Sequence, residues 1–333
     1  MTSNGLSILK NKEILVTGGC GFIGSEIVKQ LSLIGANVTI IDNLSSGREK
    51  YIQGLSNVKL ITADLLDRGV IKSAVKDKEY VINNAALPFI PDSYHLPKKF
   101  CDVNVNATIS LALSVIREKK AKRFVHISSS EIYGTARYIP MDESHHTTPQ
   151  STYAVSKLAG ERVVFTMHKE HNLPAVIIRP FNSFGPNITQ PYIIPEIIRK
   201  MMKGDVIKLV NLNAKRDLTY VTDTARGIIL SLVKEGIVGE VINIGSQRSY
   251  SIKEIVSLIA EIMGKEVSLE VDPLRFRPYD VDTLICDYGR ATKLLGWEPE
   301  ITVKEGLEKT IEWIKKEGVN IGIPYNERYE MEY

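Results

Sequence analysis

The chain has 333 residues, 44% hydrophobic and 24% charged, with a formal net charge of +3. This balance excludes extended disorder, and the length calls for about two domains or one large α/β unit with an appended lobe. Cys20, Cys101 and Cys286 lie far apart without metal-ligand spacing, so neither a metal centre nor a disulfide framework is expected, and a reducing compartment follows.

Six short β-rich runs alternate with helical patterns: Glu13 to Thr17, Asn37 to Ile41, Val58 to Thr62, Tyr80 to Asn83, Phe124 to Ser128 and Ala175 to Ile178. This order predicts an α/β fold with a Rossmann-type doubly wound parallel sheet, whose ligands belong at the strands' carboxyl ends. After the first run, Thr17-Gly18-Gly19-Cys20-Gly21-Phe22-Ile23-Gly24 opens a helix with an apolar face of Ile27, Leu31 and Ile34. Gly18, Gly21 and Gly24 stand at strand end, turn and helix start, where missing side chains let a pyrophosphate approach backbone amides. Asp42 ends the second run, where a carboxylate accepts ribose hydroxyls and repels a 2′-phosphate. NAD is therefore expected over NADP, with Arg48 close enough in sequence to keep the choice open. Asp64 and Leu65 follow the third run and suit an adenine edge, or Asp64 caps a helix. Ala85 and Ala86 close the fourth, making room for a cofactor or simply packing tightly. Lys119, Lys120, Lys122 and Arg123 fall where a helix hands over to a strand, which argues for a solvated helix end over a nucleic-acid patch.

Two segments then carry chemistry, Ser128-Ser129-Ser130-Glu131-Ile132-Tyr133-Gly134 and Ser151-Thr152-Tyr153-Ala154-Val155-Ser156-Lys157. A phenol ionises near pH ~10, so Tyr153 can act as a base at neutral pH only beside a positive charge. Lys157, four residues on along a helix, would supply that charge and depress the phenol's pKa. The alternative is an aromatic ring packed on an aliphatic stem. Ser129 and Glu131, two apart on a strand, would share one face; Glu131 could otherwise be an exposed strand-end carboxylate. His145 and His146 follow an acidic, Thr-rich loop and are expected at the surface, not on a metal.

From about Gln190 the pattern loosens into a helix over Pro191 to Lys203, a strand over Val206 to Val210, and helices over Thr222 to Lys234, Ser251 to Met263 and Val303 to Lys315. Ser251 with Glu254 reads as a capping box. The expected division is residues 1–189 as the dinucleotide domain and 190–333 mainly as a substrate lobe partly interleaved with the first. Met1 to Lys12 lacks a secretory apolar stretch, and no run approaches the roughly 18 apolar residues of a membrane span. A cytoplasmic protein without membrane or nucleic-acid partners is expected.

The glycine loop, Asp42, Ser129, Tyr153, Lys157 and Arg179-Pro180-Phe181-Asn182 together resemble the extended short-chain dehydrogenase/reductases that modify nucleotide sugars, over nearly the whole chain. The resemblance implies tightly held NAD, a nucleotide-diphosphate sugar as substrate, and homodimers through a four-helix bundle, here from Pro97 to Arg117 and Thr152 to His168. It adds Phe22, Ile23, Asn43, Tyr153, Lys157 and Pro180 to the cofactor's surroundings. It gives Ser129 and Tyr153 the sugar C4 oxygen, and places Ser93, Tyr94 and Asn182 near the hexose and diphosphate. Arg216 and Arg277 would take the diphosphate or tie the lobes together, and Val206 to Leu209 would flank the nucleobase.

Among relatives, Ser129-x-Glu131 is similar to the triad of hexose 4,6-dehydratases, with Ser130 in place of an aspartic acid. That implies a glutamate that removes the C5 proton and shuttles it itself. The likeness to NAD-dependent 4,6-dehydratases of legionaminic-type sugar pathways runs through Glu131 to Arg137, Pro180-Phe181-Asn182 and Arg275-Phe276-Arg277-Pro278, and implies UDP- or GDP-linked N-acetylglucosamine. A UDP-sugar 4-epimerase is the alternative, and a catalytically silent NAD-binding scaffold is one of another class. UDP-glucuronate decarboxylases differ after the tyrosine, where this chain has Ala154-Val155-Ser156-Lys157-Leu158. GDP-mannose dehydratases use NADP, against which Asp42 argues.

Overall fold

The computed structural model describes residues 5–272 and 281–318. The first half runs β1 (Glu13–Thr17), α1 (Phe22–Ile34), β2 (Asn37–Asp42), β3 (Val58–Thr62), α2 (Arg68–Ala74), β4 (Tyr80–Asn83), α3 (Ile90–His95), α4 (Pro97–Cys101), α5 (Ala107–Glu118), β5 (Arg123–Ile127), α6 (Thr152–His171) and β6 (Ala175–Pro180). The second runs β7 (Asn182–Phe184), α7 (Ile193–Lys203), β8 (Val206–Leu209), β9 (Lys215–Tyr220), α8 (Val221–Val233), β10 (Val241–Ile244), β11 (Ser249–Ser251), α9 (Ile252–Met263), β12 (Ser268–Val271), β13 (Thr283–Leu284), α10 (Gly289–Leu295) and α11 (Val303–Glu317).

Seven strands pair in the order β10-β6-β5-β4-β1-β2-β3, and every pair is parallel. From β1 the chain winds one way to β2 and β3, then crosses to β4 and winds the other way, so a crevice opens beyond the carboxyl ends of β1 and β4. Strands β4, β5 and β6 are buried at every residue, because helices cover both faces of a parallel sheet. One face packs on α1, α8, α10 and Trp297, the other on α2, α5 and α6. The seventh strand, β10, is absent from the six-run sequence pattern: four residues between Gly239 and Gly245 are too short for periodicity to separate from loop.

A second core gathers α7, α9, α11, β8 and Phe184. There the expected capping box forms, with Ser251 Oγ accepting from Glu254 N at 3.2 Å and Glu254 Oε2 accepting from Ser251 N at 2.7 Å. At the opposite cluster, Arg123 is not a solvated helix end. It is buried in β5 and donates to the carbonyls of Ser231 and Lys234. Between α4 and α5, Asp102–Asn106 widens into a π-helical turn. Asn104 there bonds Leu87 N at 2.9 Å and Ser156 Oγ at 2.9 Å, and a Cβ on Gly160 would come within 2.7 Å of its carbonyl. Gly160 thus lets α6, which carries Tyr153 and Lys157, lie directly against this turn. Among the described residues no helix is long and apolar enough to cross a membrane.

Candidate active site

A cavity of about 810 Å³ opens in the crevice beyond β1 and β4, and the glycine loop forms its floor. Gly18 has φ +67, and a Cβ there would lie 2.8 Å from Ala85 Cα. Its positive φ and its contact with Ala85 both require glycine. Gly21 caps α1 with extended backbone and no side-chain cap, so the amides of the first turn face the cavity without an intrahelical acceptor. Gly18, Gly21, Phe22 and Ile23 line the cavity; Gly24 does not, and serves instead to bring α1 against Gly18, whose carbonyl would stand 2.0 Å from a Cβ at residue 24. This cradle of bare amides at a helix N-terminus fits a dinucleotide pyrophosphate.

Asp42 is buried and accepts from Cys20 N and Leu44 N, both at 2.9 Å, which ties the glycine loop to the end of β2. Arg48 does not line this cavity; it borders a separate pocket of about 200 Å³ with Tyr51 and Trp313. Asp42 therefore meets the cavity without that basic residue, as a free ribose 2′-hydroxyl requires. Asn43 Nδ2 donates to Asp64 Oδ2 at 3.0 Å, and both, with Leu65, line the wall. The helix cap is Asp67, whose Oδ1 accepts from Gly69 and Val70, so the capping alternative for Asp64 is removed. Ala85 and Ala86 also line the cavity, and Ala85 packs on Gly18 as well.

Ser129, Glu131, Tyr153, Lys157 and Pro180 converge on the same cavity, but not by the strand geometry expected. β5 ends at Ile127; Ser129 caps a 3-10 turn over Ser130–Tyr133, accepting from Glu131 N at 3.2 Å. The turn, not strand alternation, brings Ser129 and Glu131 together. The expected depression of the Tyr153 phenol is also corrected: burial pushes it up to about 12, its hydrogen bond with Ser129 opposes this, and the Glu131 charge adds to the rise. Lys157 Nζ instead donates to Ile127 O at 2.5 Å, and burial lowers its pKa to about 8 against the pull of Glu161. Desolvation sets the direction at the phenol, and Lys157 is not among the groups that lower it.

Tyr94, Asn182 and Arg216 line the cavity, and Asn182 Oδ1 is buried without a hydrogen-bond partner among the described residues. Ser93 does not: it is fully buried and donates to Ile90 O at 2.7 Å inside α3. A serine three residues along a helix bonds back to its own turn. Arg216 Nη1 also donates to Lys215 O at 3.1 Å and Asp282 O at 3.4 Å, so the tie between segments and the cavity position coexist. Of Val206 to Leu209, only Leu209 lines the cavity, because β8 alternates exposed and buried residues. Arg275 to Pro278 lie outside the described residues. His145 is buried, not superficial, edge-on to Tyr133 at 5.5 Å, and its Nε2 accepts from Arg137 N; His146 is exposed. Sequence reasoning missed Tyr192, the N-cap residue just before α7, which lines the cavity and meets Phe89 edge-on at 6.0 Å. Burial, then the charges of Tyr153 and Asp92, push its phenol up. Only an aromatic at a helix start after a proline could have flagged it.

A family model described as GDP-mannose 4,6 dehydratase matches residues 15–310. The chain belongs to that family, the extended short-chain dehydrogenase/reductases that modify nucleotide sugars. Asp42 bears on cofactor choice within the family, not on membership. An epimerase of Methanothermobacter thermautotrophicus is similar at 31% identity and TM-score 0.89, over 94% of this chain and 95% of that one. The UDP-glucuronic acid 4-epimerase of Bacillus cereus, solved with UDP-glucuronic acid and NAD, is 29% identical with TM-score 0.86, over 91% and 99%. The dTDP-D-glucose 4,6-dehydratase of Homo sapiens is 30% identical over 92% of this chain and 90% of its own. Decarboxylases of uronic-acid sugar nucleotides are also similar. The family is thus one of NAD-dependent dehydratases, epimerases and decarboxylases.

Proposed function

We propose that this protein is an NAD-dependent nucleotide-sugar 4,6-dehydratase that takes UDP- or GDP-linked N-acetylglucosamine to its 4-keto-6-deoxy product. The observation that carries this reading is Glu131, a carboxylate on the cavity wall in the same turn as Ser129 and near enough to Tyr153 to raise its pKa. C4 epimerisation has no use for a second base beside the tyrosine; elimination does.

Gly18, Gly21 and the first turn of α1 would hold the pyrophosphate of NAD and Asp42 its ribose, and the cofactor when bound would accept the C4 hydride and give it back at C6. Tyr153 is proposed to take the C4 hydroxyl proton while Ser129 bonds the same oxygen, the positive charge of bound NAD adding to that of Lys157 against the burial that raises the phenol. The resulting 4-keto group acidifies C5–H, and the Glu131 carboxylate removes that proton. Glu131 then returns it to the C6 hydroxyl as the C6–O bond breaks and water leaves; the hydride's return to C6 is completed by a proton that Glu131 takes from solvent and delivers to C5, while Tyr153 releases the proton it took, so both residues end as they began. Ser130, buried and without a carboxyl, does not share the task. Asn182, Tyr94 and Arg216 are proposed to hold the hexose and diphosphate, with residues 190 onward as the substrate lobe except where β10, α8 and α10 complete the first sheet. Dimerisation through α5 and α6 is proposed with them.

A 4-epimerase is the second reading, favoured by the epimerases among the structural neighbours. Incubation with UDP- and GDP-N-acetylglucosamine separates the two by product mass: loss of one water is expected, and C4 inversion without water loss refutes the dehydratase reading. Glu131→Gln should stop water loss while C4 oxidation, seen as reduced nicotinamide in a single turnover, persists.

A further inference from the structure

Behind the cavity wall lies a buried polar chain that the reaction above does not use. Glu161 follows Lys157 by one turn of α6, as Lys157 follows Tyr153, so the three share a stripe. Glu161 is fully buried. Its Oε2 accepts from Ser128 Oγ at 2.6 Å and Arg179 Nε at 3.0 Å, and its Oε1 from Arg179 Nη2 at 2.5 Å. This is a two-pronged, charge-assisted clamp. Arg179, on β6, donates further to Tyr133 Oη at 2.7 Å and to Glu143 O at 3.3 Å, and lies 4.9 Å from the Tyr133 ring. Tyr133 in turn donates to Asn243 Oδ1 at 2.8 Å. None of Glu161, Arg179 and Tyr133 lines the cavity. The chain nevertheless joins α6, the turn bearing Ser129 and Glu131, and the end of β6.

We propose that Glu161, clamped by Arg179, is a positioning residue for C4 oxidation, supplying the buried negative charge that keeps Lys157 charged and in place. This rests on the reading of Tyr153 and Lys157 as the proton-handling pair. Three buried ions share the site, Lys157, Glu161 and Arg179. Without Glu161 the attraction that opposes burial at Lys157 is gone, so Lys157 releases its proton at lower pH. The direction agrees with the Glu161 charge as what sustains the lysine against burial. The other titratable groups facing this cluster do not substitute for it. His126 on β5 is held neutral by burial and then by Lys157. Burial pushes the Tyr133 phenol up despite Arg179, and the Glu143 carboxylate accepts from Asn243 N and pairs with Arg290.

The test is the pH profile of kcat for Glu161→Gln, with folding checked by thermal unfolding. Loss of an opposing charge moves a buried lysine by about one to two pH units, so the alkaline limb should move down by that amount while the acid limb and KM stay in place. Glu161→Asp, which keeps the charge, should return the limb toward the wild-type position even at reduced rate. If E161Q does not fold, the double variant E161Q/R179Q, which leaves no unpaired arginine, should show the same downward shift. A uniformly lower rate with an unmoved alkaline limb overturns the proposal. Lys157→Met is measured beside these: full turnover in K157M would instead overturn the reading of the tyrosine and lysine pair, whereas an inactive K157M with an unmoved limb in E161Q isolates the failure to Glu161.

Discussion

Gly24→Ala adds one methyl group where the glycine loop has no room for it. A Cβ at residue 24 would stand 2.0 Å from the Gly18 carbonyl oxygen and 2.9 Å from Asn84 Nδ2. Carbon and oxygen approach comfortably to only about 3.3 Å, so roughly 1.3 Å must be found. The neighbour is backbone, braced on two sides: Gly18 N donates to Ile41 O at 2.8 Å, and Asn84 Nδ2 donates to the same Gly18 oxygen at 3.2 Å. Two effects oppose each other. Alanine is a better helix former than glycine by about 1 kcal/mol, whereas forcing atoms into a packed site costs about 1–3 kcal/mol and more where backbone must move. The clash wins, and relief comes by lifting α1 away from the loop whose amides form the dinucleotide cradle. NAD affinity should fall by about 5- to 150-fold for 1–3 kcal/mol, and the rise in unfolding temperature produced by a fixed NAD concentration should shrink accordingly. Titration calorimetry with NAD and thermal unfolding with and without it measure both. Wild-type NAD affinity in a folded G24A protein would refute the reasoning.

Tyr153→Phe should lower turnover by about 10²–10⁴-fold, the range for a removed acid–base group, in a protein that still folds; a scaffold would keep its function, so retained turnover removes the tyrosine's role. Trp297→Ala empties a fully buried site and strands the Asp223 carbonyl that its Nε1 bonds at 2.9 Å, which should cost about 3–5 kcal/mol in urea unfolding. Asp217 is fully buried, accepts from Ser246, Gln247 and Cys286, and has its carboxyl pushed up to about 6 by burial. Between about pH 4 and 6 the folded carboxyl keeps a proton that the unfolded one has released, so its contribution to stability falls as pH rises through that window. The stability of wild type minus that of Asp217→Asn should fall by roughly 3 kcal/mol across it; a pH-independent difference contradicts the assignment.

Much of the sheet was legible because parallel strands under two helical layers must be apolar on both faces. Glu13–Thr17 and Tyr80–Asn83 emerge with the bounds their composition suggests; Val58–Thr62 does too, but as an edge strand with Lys59 and Thr62 exposed, not as the buried strand expected. β10 was not legible, since four residues, Val241 to Ile244, of which Asn243 is polar, are too few to carry a period. The glycine loop was legible as a motif, but its division of labour was not: Gly18, Gly21 and Phe22 face the cavity while Gly24 faces Gly18, a distinction that depends on the packing of α1 against β1. Ser93, adjacent to Tyr94, shows the same limit, since one residue of helix rotation turns it from the cavity into its own turn.

Composition, periodicity and short motifs by themselves determined the doubly wound architecture and the dinucleotide cradle, because these follow from local spacing and from burial on both faces of a strand, whereas the roles expected of Ser129, Glu131 and Tyr153 came from the family resemblance. Only the tertiary structure decided that Ser129 and Glu131 meet through a 3-10 turn, that burial raises the Tyr153 phenol while lowering Lys157, and that Glu161 and Arg179 stand behind them. Those outcomes depend on desolvation and on charges brought together from α6, β5 and β6, distances that no linear spacing encodes.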